Sequence, residues 1–255
     1  MEDKSIAGVF SESALNFAKN PLIITGSAIA AMIVLMLLSF VYTKLGGIIV
    51  SQTAALPIML LVVFILLALL PLSYLFSGLI NICLTISKKT QKTKLSDFFR
   101  GANKYWGKNY VIMLIIFFLY RAIFLIMGLM SIYILPFVNK QISVSVDMTR
   151  FILFFIYFAW LIGVLIFLTF SNFFLILENL SIIKSIKKSA VFVSNNYVSV
   201  LAISVIFYII FRLVSYTDRL YTSQIFSISE IISSIIIYPY LALVLAKFLI
   251  VNNKK

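Results

Sequence analysis

Long apolar runs alternate with short polar segments along this chain, and the runs number six. They extend from Pro21 to Tyr42, Ala55 to Ser87, Val111 to Phe137, Phe151 to Leu177, Tyr197 to Tyr216 and Ile225 to Val251. A bilayer crossing takes about 20 mostly apolar residues, so each run is long enough to be a membrane-spanning helix. Pro71 and Pro239 fall inside the second and sixth runs. A proline there removes a backbone hydrogen bond and predicts a kink.

The polar segments repeat. Leu95 to Tyr110 matches Ile182 to Tyr197 at an offset of 87: Asn109-Tyr110 falls on Asn196-Tyr197, Tyr105 on Phe192, Arg100 on Lys187 and Leu95 on Ile182. A third copy fits the start, with Ile6, Phe10, Phe17 and then Asn20-Pro21. The middle copy places Leu95, Phe98, Phe99, Ala102, Tyr105 and Trp106 at steps of three and four, the spacing of one helix face. Ser96, Asp97, Arg100, Asn103, Lys104 and Lys108 take the opposite face. Such a helix suits the membrane surface, and it suits equally a place across the inner ends of the spans. Thr93 and Ser181 stand where N-caps of the second and third copies belong. Asn20, Asn109 and Asn196 stand where each helix would turn into the bilayer, since an asparagine side chain can satisfy backbone groups freed at a corner.

The predicted fold is therefore all-α: an integral membrane bundle of six transmembrane helices with three cytoplasmic amphipathic interfacial helices, in a threefold pseudo-repeat. The 255 residues read as a single multipass membrane domain, with repeat units of approximately 4–87, 93–177 and 181–251. The acidic and basic N-terminus, followed by a long first run, reads as a retained span and not as a cleaved signal peptide.

Composition agrees. The chain is 63% hydrophobic and 11% charged, against about 45–50% and about 25% in soluble domains. Six crossings leave no stretch of these residues for a separate soluble catalytic domain. Basic residues are also unevenly placed. One side carries Lys4, Lys19, Lys88, Lys89, Lys92, Lys94, Arg100, Lys104, Lys108, Lys184, Lys187, Lys188, Lys254 and Lys255, and the other only Lys44, Lys140, Arg150 and Arg219. The richer side is predicted to be cytoplasmic, together with both termini. The net charge of +13 thus points to membrane lipids with anionic headgroups and not to nucleic acid. The headgroup candidates are Lys88, Lys89, Lys92, Lys94, Arg100, Lys104, Lys108, Lys187 and Lys188.

Four further residues are candidates for a substrate or ion site. Arg121 lies within the third run and Arg212 within the fifth, where a charge costs at least about 2.5–3.5 kcal/mol to insert. Facing one cavity, they would favour an anion. Glu230 lies near the outer start of the sixth run, within reach of Arg212 or Arg219. Glu178 ends the fourth run, and its simplest role is to pair with Lys187 or Lys188. With no histidine and one cysteine, Cys83, the chain lacks the commonest general base and any cysteine-cluster metal site. No phosphate loop, dinucleotide fingerprint or zinc motif is present, so no catalytic residue, metal or cofactor is expected.

The segment Leu177-Glu178-Asn179-Leu180-Ser181-Ile182-Ile183-Lys184-Ser185-Ile186-Lys187-Lys188-Ser189, followed by Ser194-Asn195-Asn196-Tyr197, resembles the multipass membrane domain of some glycerophosphoryl diester phosphodiesterases and of related six-span prokaryotic proteins. Glu178, Ile186, Lys187, Lys188, Ser189 and Asn196 fit that pattern, while Ser181 and Asn195 replace its glycines and Ser185 its alanine. The resemblance implies an all-helical membrane domain. It does not imply phosphodiesterase activity, which in the fused proteins belongs to a separate soluble barrel. The expected function is that of a non-enzymatic scaffold, assembly or lipid-organising module with a basic cytoplasmic collar, with a membrane-protein partner as a candidate beside the lipids. The alternative is a small transporter or permease with an anion-favouring site at Arg121 and Arg212.

Overall fold

The computed structural model describes residues 5–20, 26, 55–89, 93–129, 155, 163, 167–216 and 236–253. Among them every regular element is a helix. In chain order these are α1 (Ile6–Lys19), α2 (Ala55–Lys89), α3 (Leu95–Leu129), α4 (Ser171–Leu177), α5 (Ile182–Asn195), α6 (Tyr197–Tyr216) and α7 (Tyr238–Asn252). The segments Leu66–Lys88 and Tyr197–Val214 are long and apolar enough to cross a membrane. They coincide with the second and fifth predicted spans. All of the first predicted span but Gly26, and nearly all of the fourth before Phe167, lie outside the described residues.

The ends of α1 and α5 follow from local chemistry. Ser5 caps α1, its hydroxyl accepting from the Gly8 N–H at 3.2 Å. Asn20 stops that helix: its backbone N–H donates to the Phe17 carbonyl, and its side-chain Nδ2 donates to the Asn16 carbonyl at 2.8 Å. Pro21 follows in the sequence and disfavours helical geometry at Asn20. Asn196 ends α5 in the same way, with Nδ2 donating to the Phe192 carbonyl at 2.9 Å. Ser181 occupies the N-cap position of α5 in extended conformation, but its hydroxyl makes no capping bond.

The middle copy differs. Leu95–Leu129 is one helix of 35 residues that continues through Asn109. No separate amphipathic helix exists there, and the turn expected at Asn109 is absent. The Asn109 Nδ2 does not reach back along its own helix but donates across to the Ser77 hydroxyl of α2. Its first half instead runs antiparallel to the second half of α2. Tyr74 donates to Asn103 Oδ1 at 2.8 Å, and Asn81 Nδ2 donates to the Asp97 carbonyl at 2.8 Å. At 1.5 Å per residue, two 35-residue helices are about 52 Å long, well beyond a hydrocarbon core of about 30 Å. The cap also shifts: the Lys94 backbone N–H donates to Asp97 Oδ2 at 3.0 Å, so Lys94 opens the helix. Thr93 lies one residue outside it, buried.

Glycine permits this close pairing. A Cβ on Gly78 would lie 2.6 Å from the Phe98 ring, and one on Gly101 would overlap Asn81. Helix α2 continues through Pro71, whereas Pro239 is the second residue of α7, after a π-type turn at Ile236–Ile237. In the first turn the missing N–H breaks no intrahelical bond.

Burial sorts the helices. Every residue of α7 from Ala242 to Leu249 is buried, as befits a helix that is apolar on every side but for Lys247 and packed by neighbours. It contacts α1 and α2. In α6, by contrast, Val200, Ile203 and Phe207 turn inward while Val198, Tyr208, Ile209 and Leu213 are exposed. Rings close the packing: Phe192 meets Phe170, Phe174 and Phe248 at 5.0, 5.6 and 5.8 Å between centroids. Phe10 and Tyr240 join α1 to α7, and the Tyr240 hydroxyl donates to the Phe10 carbonyl at 3.0 Å. Cys83 is fully buried in this core. It is expected to resist maleimide labelling in the folded protein and to react only after denaturation in SDS. Equal labelling rates in both states would contradict that placement.

Candidate functional site

Polar cross-links gather where α4, α5 and the end of α7 meet. Glu178 caps the C-terminus of α4. Asn179 then adopts a left-handed backbone (φ 53°), which asparagine tolerates better than most residues, and the chain turns into α5. This brings Lys188 onto Glu178, with Nζ 2.6 and 2.7 Å from the two carboxylate oxygens. Asn253 Nδ2 donates to the same carboxylate at 3.0 Å. The Lys188 ammonium also lies 5.2 Å from the centre of the Phe174 ring. Of the two partners the sequence offered for Glu178, Lys188 is the one engaged, and Lys187 is exposed. Ser189 donates to the Phe167 carbonyl at 2.6 Å, fastening α5 to the approach to α4. Beside the pair is a polar cavity of about 300 Å³ lined by Lys188, Phe192 and the asparagines Asn195, Asn196, Asn252 and Asn253.

A second pair was not anticipated. Lys247, 8% exposed in α7, places Nζ 2.7 Å from Glu12 Oε2 of α1. The available signal was that a lysine inside an apolar run needs an acid and that the chain holds only eight acidic residues.

The other predicted residues are scattered. Arg121 belongs to α3, but its side chain lies outside the described residues, as does all of Glu230. Arg212 is exposed on α6, where Nε donates to the Tyr208 hydroxyl at 3.0 Å and the guanidinium lies over that ring. Among the headgroup candidates, Lys88, Lys94, Arg100, Lys104 and Lys108 are exposed. Arg100 lies 3.7 Å from Asp97, and Lys104 lies over the Tyr105 ring. The side chain of Lys89 and all of Lys92 lie outside the described residues. The apolar face of the middle copy divides in two. Phe98, Ala102 and Tyr105 are buried, Phe98 against Gly78 of α2, while Leu95, Phe99 and Trp106 remain exposed.

A larger cavity, of about 730 Å³, lies between α2, α3, α4 and α7. Leu72 and Phe76 wall it from α2, Met113 and Ile116 from α3, and Leu241 and Leu245 from α7. Asn172 of α4 and Thr169, which lies just before that helix, interrupt this apolar lining. Asn172 is 4% exposed, and its Oδ1 has no hydrogen-bond partner. Sequence reasoning passed over Asn172, although a carboxamide within an apolar run was a usable signal. Among the described residues no group of acidic or cysteine side chains could hold a metal.

No curated protein and no solved structure matches this chain. A family model does match over residues 5–251, nearly the full length, and the chain belongs to that family, described as a domain of unknown function, DUF7847.

Proposed function

We propose that this chain is a non-enzymatic multipass membrane protein that crosses the bilayer six times, with both termini cytoplasmic, and organises anionic lipids or a membrane-protein partner at its basic inner face. The observation that carries this reading is the division of its cations. Lys247 is buried and paired with Glu12, and Lys188, its side chain 40% exposed, is paired with Glu178, whereas Arg100, Lys104, Lys108, Lys184 and Lys187 are exposed. Beside the α3 cations stand exposed Phe99 and Trp106, the pairing of rings and basic groups that suits the headgroup region. The apolar exterior of α6 supports a lipid surrounding. The likeness of the Glu178–Asn196 segment to phosphodiesterase membrane domains belongs to the same proposal.

Anionic headgroups gain about 1 kcal/mol per nearby basic residue. The combined substitution Arg100→Glu, Lys104→Glu and Lys108→Glu is therefore expected to reduce the anionic fraction of lipid retained in native polymer discs several-fold. Unchanged lipid composition with the fold intact would sink the headgroup role.

A further inference from the structure

We propose that the 730 Å³ cavity between α2, α3, α4 and α7 binds the hydrocarbon chain of a neutral membrane lipid whose free hydroxyl donates a hydrogen bond to Asn172 Oδ1. The volume falls within the range of about 300–1,000 Å³ usual for ligand pockets. Its walls are leucine, isoleucine, phenylalanine and methionine side chains from four helices, which suits a flexible alkyl chain.

Asn172 selects the polar end. A carboxamide oxygen only accepts hydrogen bonds, and a buried acceptor left empty keeps its full desolvation penalty. The missing partner must therefore be a donor. A lone water fits less well, because it needs two to four polar partners and, among the described lining residues, only Thr169 and Tyr238 add a polar group to Asn172. Ester carbonyls cannot donate, so a fully esterified lipid leaves Oδ1 empty. A hydroxyl at the junction of chain and head, as in a partial glyceride or a long-chain alcohol, fills it. Tyr238 lines the same cavity and is half exposed, which marks an edge through which a chain could enter from the bilayer.

This inference rests on the protein being embedded in a membrane, but its test is separate from topology. Delipidated full-length protein would be titrated with hexadecanol and with hexadecyl methyl ether, and bound ligand counted by native mass spectrometry. The expected result is saturable binding of one alcohol per chain, about tenfold tighter than the ether, as one satisfied buried acceptor implies. Asn172→Leu should abolish that preference while leaving ether binding intact. Ala242→Trp, which fills the cavity from α7, should block both probes. Equal affinities for the two probes in the wild-type protein would overturn the proposal, as would a preference that survives Asn172→Leu. If Asn172→Leu does not fold, the wild-type comparison decides alone. Failure here with six spans confirmed removes only the chain site.

Discussion

Replacing Gly101 with leucine is expected to destabilise the folded protein by about 3 kcal/mol or more, the upper part of the range for overpacked cores. Even alanine at this position should be unfavourable. The added Cβ would overlap Asn81, whose Nδ2 is held by the Asp97 carbonyl, so the neighbour cannot yield without losing a part-buried hydrogen bond. Gly107 supplies the internal control. It lies in the same helix, with nothing within 4 Å of its would-be Cβ. Glycine to alanine in an open helical position ordinarily gains up to about 1 kcal/mol. Gly101→Ala and Gly107→Ala should therefore shift the unfolding midpoint in detergent in opposite directions. Shifts of the same sign would contradict the close α2–α3 pairing.

The second large effect is expected at the Glu12–Lys247 pair. Removing one partner of a buried ion pair costs about 3–5 kcal/mol, because the other charge stays buried and alone. Lys247 is nearly enclosed, but the Glu12 side chain is about one-third exposed, so solvent screening should bring Glu12→Gln below that range, to about 2–3 kcal/mol. The double variant Glu12→Gln/Lys247→Met should recover most of that loss, since a well-packed apolar side chain replaces the stranded ammonium. A full double-mutant cycle in denaturant measures the coupling. Independent, additive losses would mean that the two side chains do not act as a pair.

Sequence periodicity revealed the helical class and the boundaries of α1 and α5, because those ends are set by neighbours in the chain. Asn20 and Asn196 each bond back to the carbonyl four residues earlier. Asn109, the same residue type at the same repeat position, bonds instead to Ser77, 32 residues away. Pro21 marks the end at Asn20, but Asn109 and Asn196 are both followed by tyrosine, so the fusion of the middle amphipathic segment into α3 was not legible. Distance in sequence also explains the two ion pairs. Glu178 and Lys188 are separated only by a short turn and the first half of α5 and could be read together. Glu12 and Lys247 are brought together only by the docking of the first described helix on the last. The cavity around Asn172 is further from sequence still, because it is the space four helices leave unfilled. Of the candidate residues, Glu178 and Lys188 meet as anticipated, whereas Arg212 is exposed beside Tyr208.

Membrane topology decides the central proposal. Single cysteines would be introduced in a Cys83→Ser background as Lys4→Cys, Lys92→Cys and Lys254→Cys on the proposed inner side. Lys44→Cys, Lys140→Cys and Arg219→Cys would represent the outer side. Each variant would be treated with a membrane-impermeant maleimide in intact and in permeabilised cells. Six spans with cytoplasmic termini predict labelling of positions 44, 140 and 219 in intact cells, and of positions 4, 92 and 254 only after permeabilisation. Labelling of position 4 or 254 from outside, or protection of any of the three outer positions until permeabilisation, would contradict it.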